Sequence, residues 1–169
     1  SCTPLTNLNK LFMRKLLFIF VLLSQSFLGF SQSKWKDFAK NFPAMPLDIN
    51  IECANTLNLQ VLNSIDGKKY LSDNKSDISI YYKVGKITFT NGNLGLVYAV
   101  RSGERLFYSI DIFDKNGKLK DSYALGTSYS VGGGSLFKIM KEGKKYKIWQ
   151  KNIESEGSFI LNESGFREW

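Results

Sequence analysis

Asp111 and Asp114 lie three residues apart in the segment RLFYSIDIFD (105–114), and two carboxylates are the minimum for glycoside hydrolysis. In a strand, residues three apart point to opposite faces, so the two cannot form a catalytic pair. Asp114 instead begins the turn DKNG. Asp111, flanked by isoleucines, is the one candidate acid. We expect it on a solvent-facing side of a sheet, with the alternative that it lines a cleft, where burial would raise its pKa.

The sequence contains no histidine, which restricts the remaining chemistry. Ser-His and Cys-His nucleophilic pairs and the usual histidine zinc sites are excluded. The segment SDNKSD (72–77) carries two aspartates but lacks the glycine and the distant glutamate of an EF-hand loop, so it is interpreted as a polar turn. We therefore expect no metal site and no cofactor.

The glycine triplet in SVGGGSLFKI (130–139) raises the question of a phosphate-binding loop. Such a loop precedes a helix and usually carries Lys-Ser or Lys-Thr after its glycines. The residues after Ser135 instead have the pattern of a strand. The triplet therefore predicts a bulge or a tight strand entry. The backbone at Gly133 is where a ligand would approach a sheet most closely.

Aromatic and basic residues alternate in KEGKKYKIWQK (141–151). Such residues can bind acidic polysaccharides, lipid headgroups or nucleic acids, although lysines at turns and edges also protect sheets from aggregation. Trp149 is predicted to face outward with Lys147. The candidate binding residues are Lys145, Tyr146, Lys147 and Trp149, together with Gly133.

Residues 13–31 have the layout of a secretory signal peptide. Two basic residues precede an apolar run at 16–23, and small residues at 29 and 31 mark a cleavage site before Gln32. The apolar run is shorter than the roughly 20 residues of a membrane span. We expect residues 1–12 to be an upstream segment and 32–169 a single exported domain without a transmembrane span, located in the periplasm, at the cell surface or outside the cell.

Charge and cysteine content are consistent with an exported domain. Cleavage would remove three basic residues and no acidic one, which lowers the formal net charge from +8 and leaves a scattered basic surplus. This distribution argues against a nucleic-acid partner, because the footprint of nucleic acid would be a clustered basic face. Cys53 would be the only cysteine left. It follows Ile49 and Ile51 at a spacing of two, which places all three on one side of a strand, so we expect Cys53 to be a buried, small apolar residue.

The elements that position these residues are mainly strands. Trp35, Phe38, Ala39 and Phe42 form one stripe of a short N-terminal helix with Ser33 as its N-cap. From residue 47 the apolar period becomes two, and short turns with glycine recur. We predict a mainly β fold: an antiparallel up-and-down meander of about 8–10 strands, barrel-like or in two layers. The segment LGLVYAVR (94–101) is apolar on both sides, as in a central strand covered on both faces.

The segments YYKVGKITFTNGNLGLVYAV and LFYSIDIFDKNGKLKDSYALG, with the closing FILNESGFRE, resemble a group of small secreted β-meander proteins from Bacteroidota bacteria. The similarity covers about residues 32–169. It implies a β-meander fold and an envelope or extracellular location, and it carries over no catalytic residue.

Two functions remain open at this point. The first is an exported, non-catalytic binding or structural module of the bacterial envelope or extracellular space, whose partner is a glycan or a protein. The second is a small carboxylate-based hydrolase that acts on extracellular glycans, with Asp111 as its first acid. A hydrolase requires two carboxylates in one concave pocket, whereas a binding module requires only an exposed aromatic surface.

Overall fold

The computed structural model describes residues 15–16, 34–53, 59–72, 78–129, 134–152 and 155–168. The chain forms two compact units, residues 1–37 and 38–169. Two short helices are described, α1 over residues 34–40 and α2 over Ser64–Tyr70. The ten strands are β1 (Asn50–Glu52), β2 (Gln60–Leu62), β3 (Ile80–Thr88), β4 (Leu94–Ser102), β5 (Arg105–Phe113), β6 (Leu119–Tyr129), β7 (Leu136–Glu142), β8 (Lys145–Lys151), β9 (Glu156–Leu161) and β10 (Arg167–Glu168).

The strands form two five-stranded antiparallel sheets, so the predicted mainly β fold is confirmed in its two-layer form and no barrel closes. Sheet A has the order β2-β3-β4-β5-β6, an uninterrupted meander. Sheet B has the order β1-β7-β8-β9-β10. The early strand β1 pairs with β7, far along the chain, so the chain passes from one sheet to the other after β1 and again after β6.

The hairpin turns follow the glycine positions in the sequence. Gly92, Gly103, Gly117, Gly143 and Gly165 all have φ between +60° and +88°, a region that glycine adopts without strain. Gly85 is different, because it lies inside β3 beside a bulge, where the register shifts between Lys83 and Gly85. A Cβ at Gly85 would lie 2.7 Å from Met45 Sδ, so this glycine serves close packing rather than a turn.

The main core lies between the two sheets. Aromatic pairs join the layers: Phe89 with Tyr146 at 5.2 Å, Tyr108 with Phe137 at 5.5 Å and Tyr123 with Phe159 at 5.5 Å between ring centroids. Gln150 of sheet B also donates a hydrogen bond to the Ala124 carbonyl of sheet A, at 2.7 Å. The layers are therefore held by an apolar core with polar contacts at its margin.

Sheet A is also covered on its outer face. Residues 95–100 of β4 are all buried, which confirms the prediction of a strand covered on both sides. Phe38 packs on Tyr70 of α2 at 4.6 Å, and Lys86 donates to the carbonyls of Ala39 and Lys40. The helical stripe predicted at the N-terminus is likewise buried.

The helix α2 was not predicted, because Asp66-Gly67 has the sequence of a turn. The Asn63 side chain caps the helix by accepting from Ile65 N at 2.9 Å and Asp66 N at 3.4 Å. Asp66 occupies the first turn and Lys68 and Lys69 the last, as the helix dipole favours. An asparagine followed by an acid and then two lysines was the available signal.

The two isoleucines at the start of the β3 segment do not lie on its buried side. Ile78 and Ile80 are 82% and 42% exposed, whereas the alternate residues Ser79 and Tyr81 are buried. Tyr81 is buried because Gly67 of α2 lies directly over its ring. The contact with α2, rather than the period of two, decides which side of this segment is covered.

Candidate functional site

Asp111 is fully buried on the outer side of sheet A, with 0% of its surface exposed. Its Oδ2 accepts from Ser72 N at 2.7 Å. Its Oδ1 accepts from Ser72 Oγ at 2.7 Å and from Ser122 Oγ at 2.6 Å. The expectation of a solvent-facing Asp111 was therefore wrong, because the segment that leaves α2 places Ser72 over this face of β5.

The protonation of Asp111 reflects two opposing effects. Burial raises the pKa of its carboxyl, and the hydrogen bonds from Ser122, Ser72 and Tyr98 partly offset this rise. No charged side chain of the described residues contributes to the shift. The carboxylate is thus stabilised by hydroxyl and amide dipoles and has no counter-charge in the described part of the chain.

The two serines also contact each other, since Ser72 Oγ and Ser122 Oγ lie 2.9 Å apart. Ser72 Oγ lies 3.2 Å from the Tyr98 hydroxyl. Asp111 Oδ1 and the two serine oxygens thus form a triangle with three short edges. An ionised carboxylate has no proton to donate. Only the two serine hydroxyl protons are then available for hydrogen bonds along the three edges. When both point to Asp111, the serine–serine edge has no hydrogen.

A groove of about 280 Å³ opens above this triangle. Its described lining residues belong to β5, β6 and the segment after α2: Ser72, Phe107, Tyr108, Ser109, Ser122, Ala124, Gly126 and Thr127. The register of β5 and β6 shifts between Tyr108 and Ser109, at the centre of the groove. Bulges of this kind bend a strand and are common next to active sites.

The described lining of the groove contains no carboxylate, and Asp111 itself lies beneath the serines. Asp114 is not a partner for Asp111. It caps the β5–β6 turn by accepting from Asn116 N and Lys118 N, and the bond from Lys118 is the main reason why its pKa is lowered. Asp73 and Asp77, in the segment interpreted as a polar turn, lie outside the described residues.

The second candidate surface is the outer face of sheet B around Trp149. On this face Trp149 pairs with Lys138 on one side and with Ser158 on the other. Lys147 and Lys151 lie two residues away on the same strand and so point in the same direction. We call these five residues the Trp149 face.

Hydrogen bonds and charges define the Trp149 face further. Trp149 Nε1 donates to Glu156 Oε1 at 2.7 Å, which orients the half-buried indole. Glu156 also lies 3.9 Å from Lys151 Nζ. Within the described ranges, Lys138 and Lys147 form no ion pair. The face therefore combines an oriented aromatic ring with two lysines whose charges are not neutralised by a described acid.

The other predicted binding residues are distributed differently. Lys145 lies at the start of β8, on the same side as Lys147, and pairs with Glu168 at 2.7 Å. Tyr146 is 6% exposed and packs on Phe89 in the core, because it alternates with Lys145 and Lys147 along the strand. Tyr146 is therefore a core residue and not part of the exposed binding surface that was predicted. Gly133 lies outside the described residues, but the segment after the glycine triplet is the strand β7, as predicted.

Cys53 and Tyr108 lie together near the edge of the main core. Cys53 is fully buried, as expected, and burial followed by the charge of Glu52 raises the pKa of its thiol to about 12. Burial likewise raises the pKa of Tyr108, whose hydroxyl has no hydrogen-bond partner among the described residues. Neither group is suited to nucleophilic chemistry near neutral pH, because both stay protonated.

Metal-binding clusters and membrane-spanning helices are absent from the described residues. No group of three or more acidic or cysteine side chains there is arranged to hold a metal ion. Neither helix within these ranges has the length and hydropathy of a membrane span.

No protein-family model, curated protein or solved structure matches the chain.

Proposed function

We propose that the chain is an exported, non-catalytic binding module that holds an acidic polysaccharide on the Trp149 face. The observation that carries the proposal is the oriented indole of Trp149 with lysines on three sides. The export part of the proposal is supported by the signal-peptide layout of residues 13–31.

The aromatic ring supplies the contact area. An indole held by its Nε1 hydrogen bond to Glu156 loses little conformational entropy when a ligand packs on it. Tryptophan is the residue most often found at the energetic centre of a binding surface. The half-buried position leaves part of the indole open to solvent.

The lysines select for negative charge. Adjacent strands lie about 4.8 Å apart and residues i and i+2 about 6.7 Å apart, so Lys138, Lys147 and Lys151 surround Trp149 over a span of about 13 Å, which matches a few sugars of a chain. A carboxylated or sulfated glycan places anionic groups beside flat rings, which fits this arrangement. Acidic residues at Glu52, Glu156 and Glu168 limit the net charge of the surrounding sheet face, which disfavours a polymer as highly charged as nucleic acid.

Binding to polygalacturonate, measured by calorimetry against neutral dextran and duplex DNA, tests the proposal. Trp149→Ala should weaken binding to polygalacturonate at least about tenfold, as expected for a central aromatic residue. Lys147→Gln should weaken it a few-fold and reduce its dependence on salt. Lys115→Gln, at the exposed β5–β6 turn, removes the same charge elsewhere and should leave binding unchanged.

Equal binding by wild type and Trp149→Ala would contradict the proposed face, and preferential binding to duplex DNA would contradict the ligand class. Each variant is compared by its thermal unfolding, so that a loss of binding is separated from a loss of fold.

The alternative function is a carboxylate-based glycan hydrolase centred on Asp111. Its support is a buried acid with a raised pKa below a groove. The described groove provides no second carboxylate, and this favours the binding module. Turnover of a glycan panel by the wild type, lost in a folded Asp111→Asn variant, would establish the hydrolase instead.

A further inference from the structure

We propose that the groove over Asp111 is a binding site for a primary ammonium group carried on a short apolar stem. This site is on sheet A and is independent of the Trp149 face on sheet B.

The first argument is the count of hydrogen-bond donors. With Asp111 ionised, the hydroxyl protons of Ser72 and Ser122 both point down to its Oδ1, at 2.7 and 2.6 Å. The Tyr98 hydroxyl, 3.2 Å from Ser72 Oγ, can then donate to one lone pair of Ser72, and the remaining lone pairs of the two serine oxygens, which lie 2.9 Å apart, can accept from a further donor. A donor that bridges them completes the third edge of the triangle, so the site selects a ligand that donates hydrogen bonds.

The second argument is charge. Asp111 is fully buried and has no counter-charge among the described residues. Burying an uncompensated carboxylate is costly. A cation that hydrogen-bonds to the covering serines supplies the missing charge, whereas a neutral alcohol does not.

The third argument separates an ammonium group from a metal ion. The oxygens of Asp111 are shielded by Ser72 and Ser122, so a metal in the groove could not coordinate the carboxylate directly. Calcium requires six to eight oxygen ligands, among them carboxylates. An ammonium group needs only hydrogen-bond acceptors for its N–H donors, and the oxygens of Ser72 and Ser122, 2.9 Å apart, supply two acceptors in the groove.

The apolar residues that line the groove indicate that the rest of the ligand is apolar. Phe107 and Ala124 line the same groove as the serines. An alkyl chain that extends along the groove from the serines can pack on them. The volume of about 280 Å³ lies just below the usual range for ligand pockets, which fits a single amine-bearing chain such as a lysine side chain or a small free amine.

The test is a titration of the isotope-labelled full chain followed by amide NMR shifts, with n-butylammonium, 1-butanol and potassium chloride as probes. We expect saturable shifts at Ser72, Ser122 and Ala124 with butylammonium, and at least tenfold weaker effects with the other two probes. Equal responses to butylammonium and butanol, or displacement of butylammonium by equimolar potassium, would overturn the proposal.

Two variants sharpen the test. Asp111→Asn removes the charge, and its amide would donate to the two serine oxygens, so butylammonium binding should fall at least tenfold while the fold is retained. Ser122→Ala should weaken binding several-fold. Ser164→Ala, in the turn between β9 and β10 of sheet B, is the matched control and should bind like the wild type. Unchanged binding by a folded Asp111→Asn variant would refute the site.

Two sources of the amine are distinguished in parallel arms. Blocked lysine, with its α-amino and carboxyl groups capped, represents a protein partner, and putrescine represents a free amine. Tighter binding of blocked lysine or of putrescine identifies the source. If neither amine binds and butylammonium also causes no NMR shifts, the proposal is rejected.

Discussion

The protonation of Asp111 depends on two opposing effects, burial and hydrogen bonding. Its side chain is removed from water, which favours the protonated form, yet it receives hydrogen bonds that favour the ionised form. When the carboxyl is protonated on Oδ1, the triangle with Ser72 and Ser122 has one proton for each edge. This count is consistent with the direction in which the pKa is shifted.

The raised pKa of Asp111 predicts a specific pH dependence of stability. Above the ordinary pKa of aspartate, near 4, the folded state retains a proton that the unfolded state has lost. The contribution of Asp111 to the free energy of unfolding therefore falls as the pH rises through this window, by up to about 1.4 kcal/mol per pH unit. The effect ends above the pKa of the folded state.

Urea denaturation of the wild type and Asp111→Asn across this pH range measures the effect. The variant should gain stability relative to the wild type as the pH rises, and the difference should then level off. Asp114→Asn is the control with the opposite sign, because the pKa of Asp114 is lowered and its stabilisation is lost as the pH falls. A pH-independent difference between wild type and Asp111→Asn would show that the pKa of Asp111 is not raised.

At the scale of elements, the short helix α2 determines what covers the outer face of sheet A. It approaches β3 through Gly67, where a Cβ would lie 2.6 Å from Tyr81 Cγ. The next residues, Leu71 and Ser72, then continue onto the same face, and Leu71 is buried. The close approach at Gly67 therefore also places Ser72 over Asp111.

Gly67→Ala tests this role of α2. In an exposed helix the change would stabilise by about 1 kcal/mol, but the clash with the Tyr81 ring should reverse the sign and cost about 1–3 kcal/mol. Chemical denaturation measures the change in the free energy of unfolding. Ile65→Ala, at a position of the same helix that is 74% exposed, should be nearly neutral. A more stable Gly67→Ala variant would mean that α2 is not packed this closely.

At the scale of the whole molecule, the two candidate surfaces lie on opposite outer faces of one sandwich. Their positions depend on the shared core, in which the fully buried Ile148 of sheet B contributes to the same apolar cluster as Val97 and Ile110 of sheet A. The sheets should therefore unfold together, although each face carries its own side chains.

Ile148→Ala tests this dependence. Removing the side chain should destabilise the chain by about 2–5 kcal/mol, because it leaves a cavity between the layers. Hydrogen exchange should show loss of protection in β4 and β5 of sheet A as well as in β8. The surface change Lys141→Ala should leave protection in both sheets nearly unchanged. Loss confined to sheet B would contradict a shared core.

Local features of the sequence determined most of the strands and their hairpins. The apolar run at 94–101, the period of two between Leu106 and Ile112 and the glycines at positions 92, 103 and 117 depend only on neighbouring residues, and the structure follows them. Such patterns can be recognised without knowledge of the fold, because side-chain alternation and positive φ are properties of a short segment.

Contacts between distant segments decided the rest. The sequence by itself identified Asp111 as an isolated candidate acid and Trp149 as an outward-facing aromatic residue beside lysines. Only the tertiary structure buried Asp111, because the residue that covers it, Ser72, lies 39 positions earlier in the chain. In the same way, the pairing of β8 with β7 and β9 placed Lys138 and Ser158 beside Trp149. Burial and cross-strand neighbours depend on which distant segments pack together, and a local sequence pattern does not determine that packing.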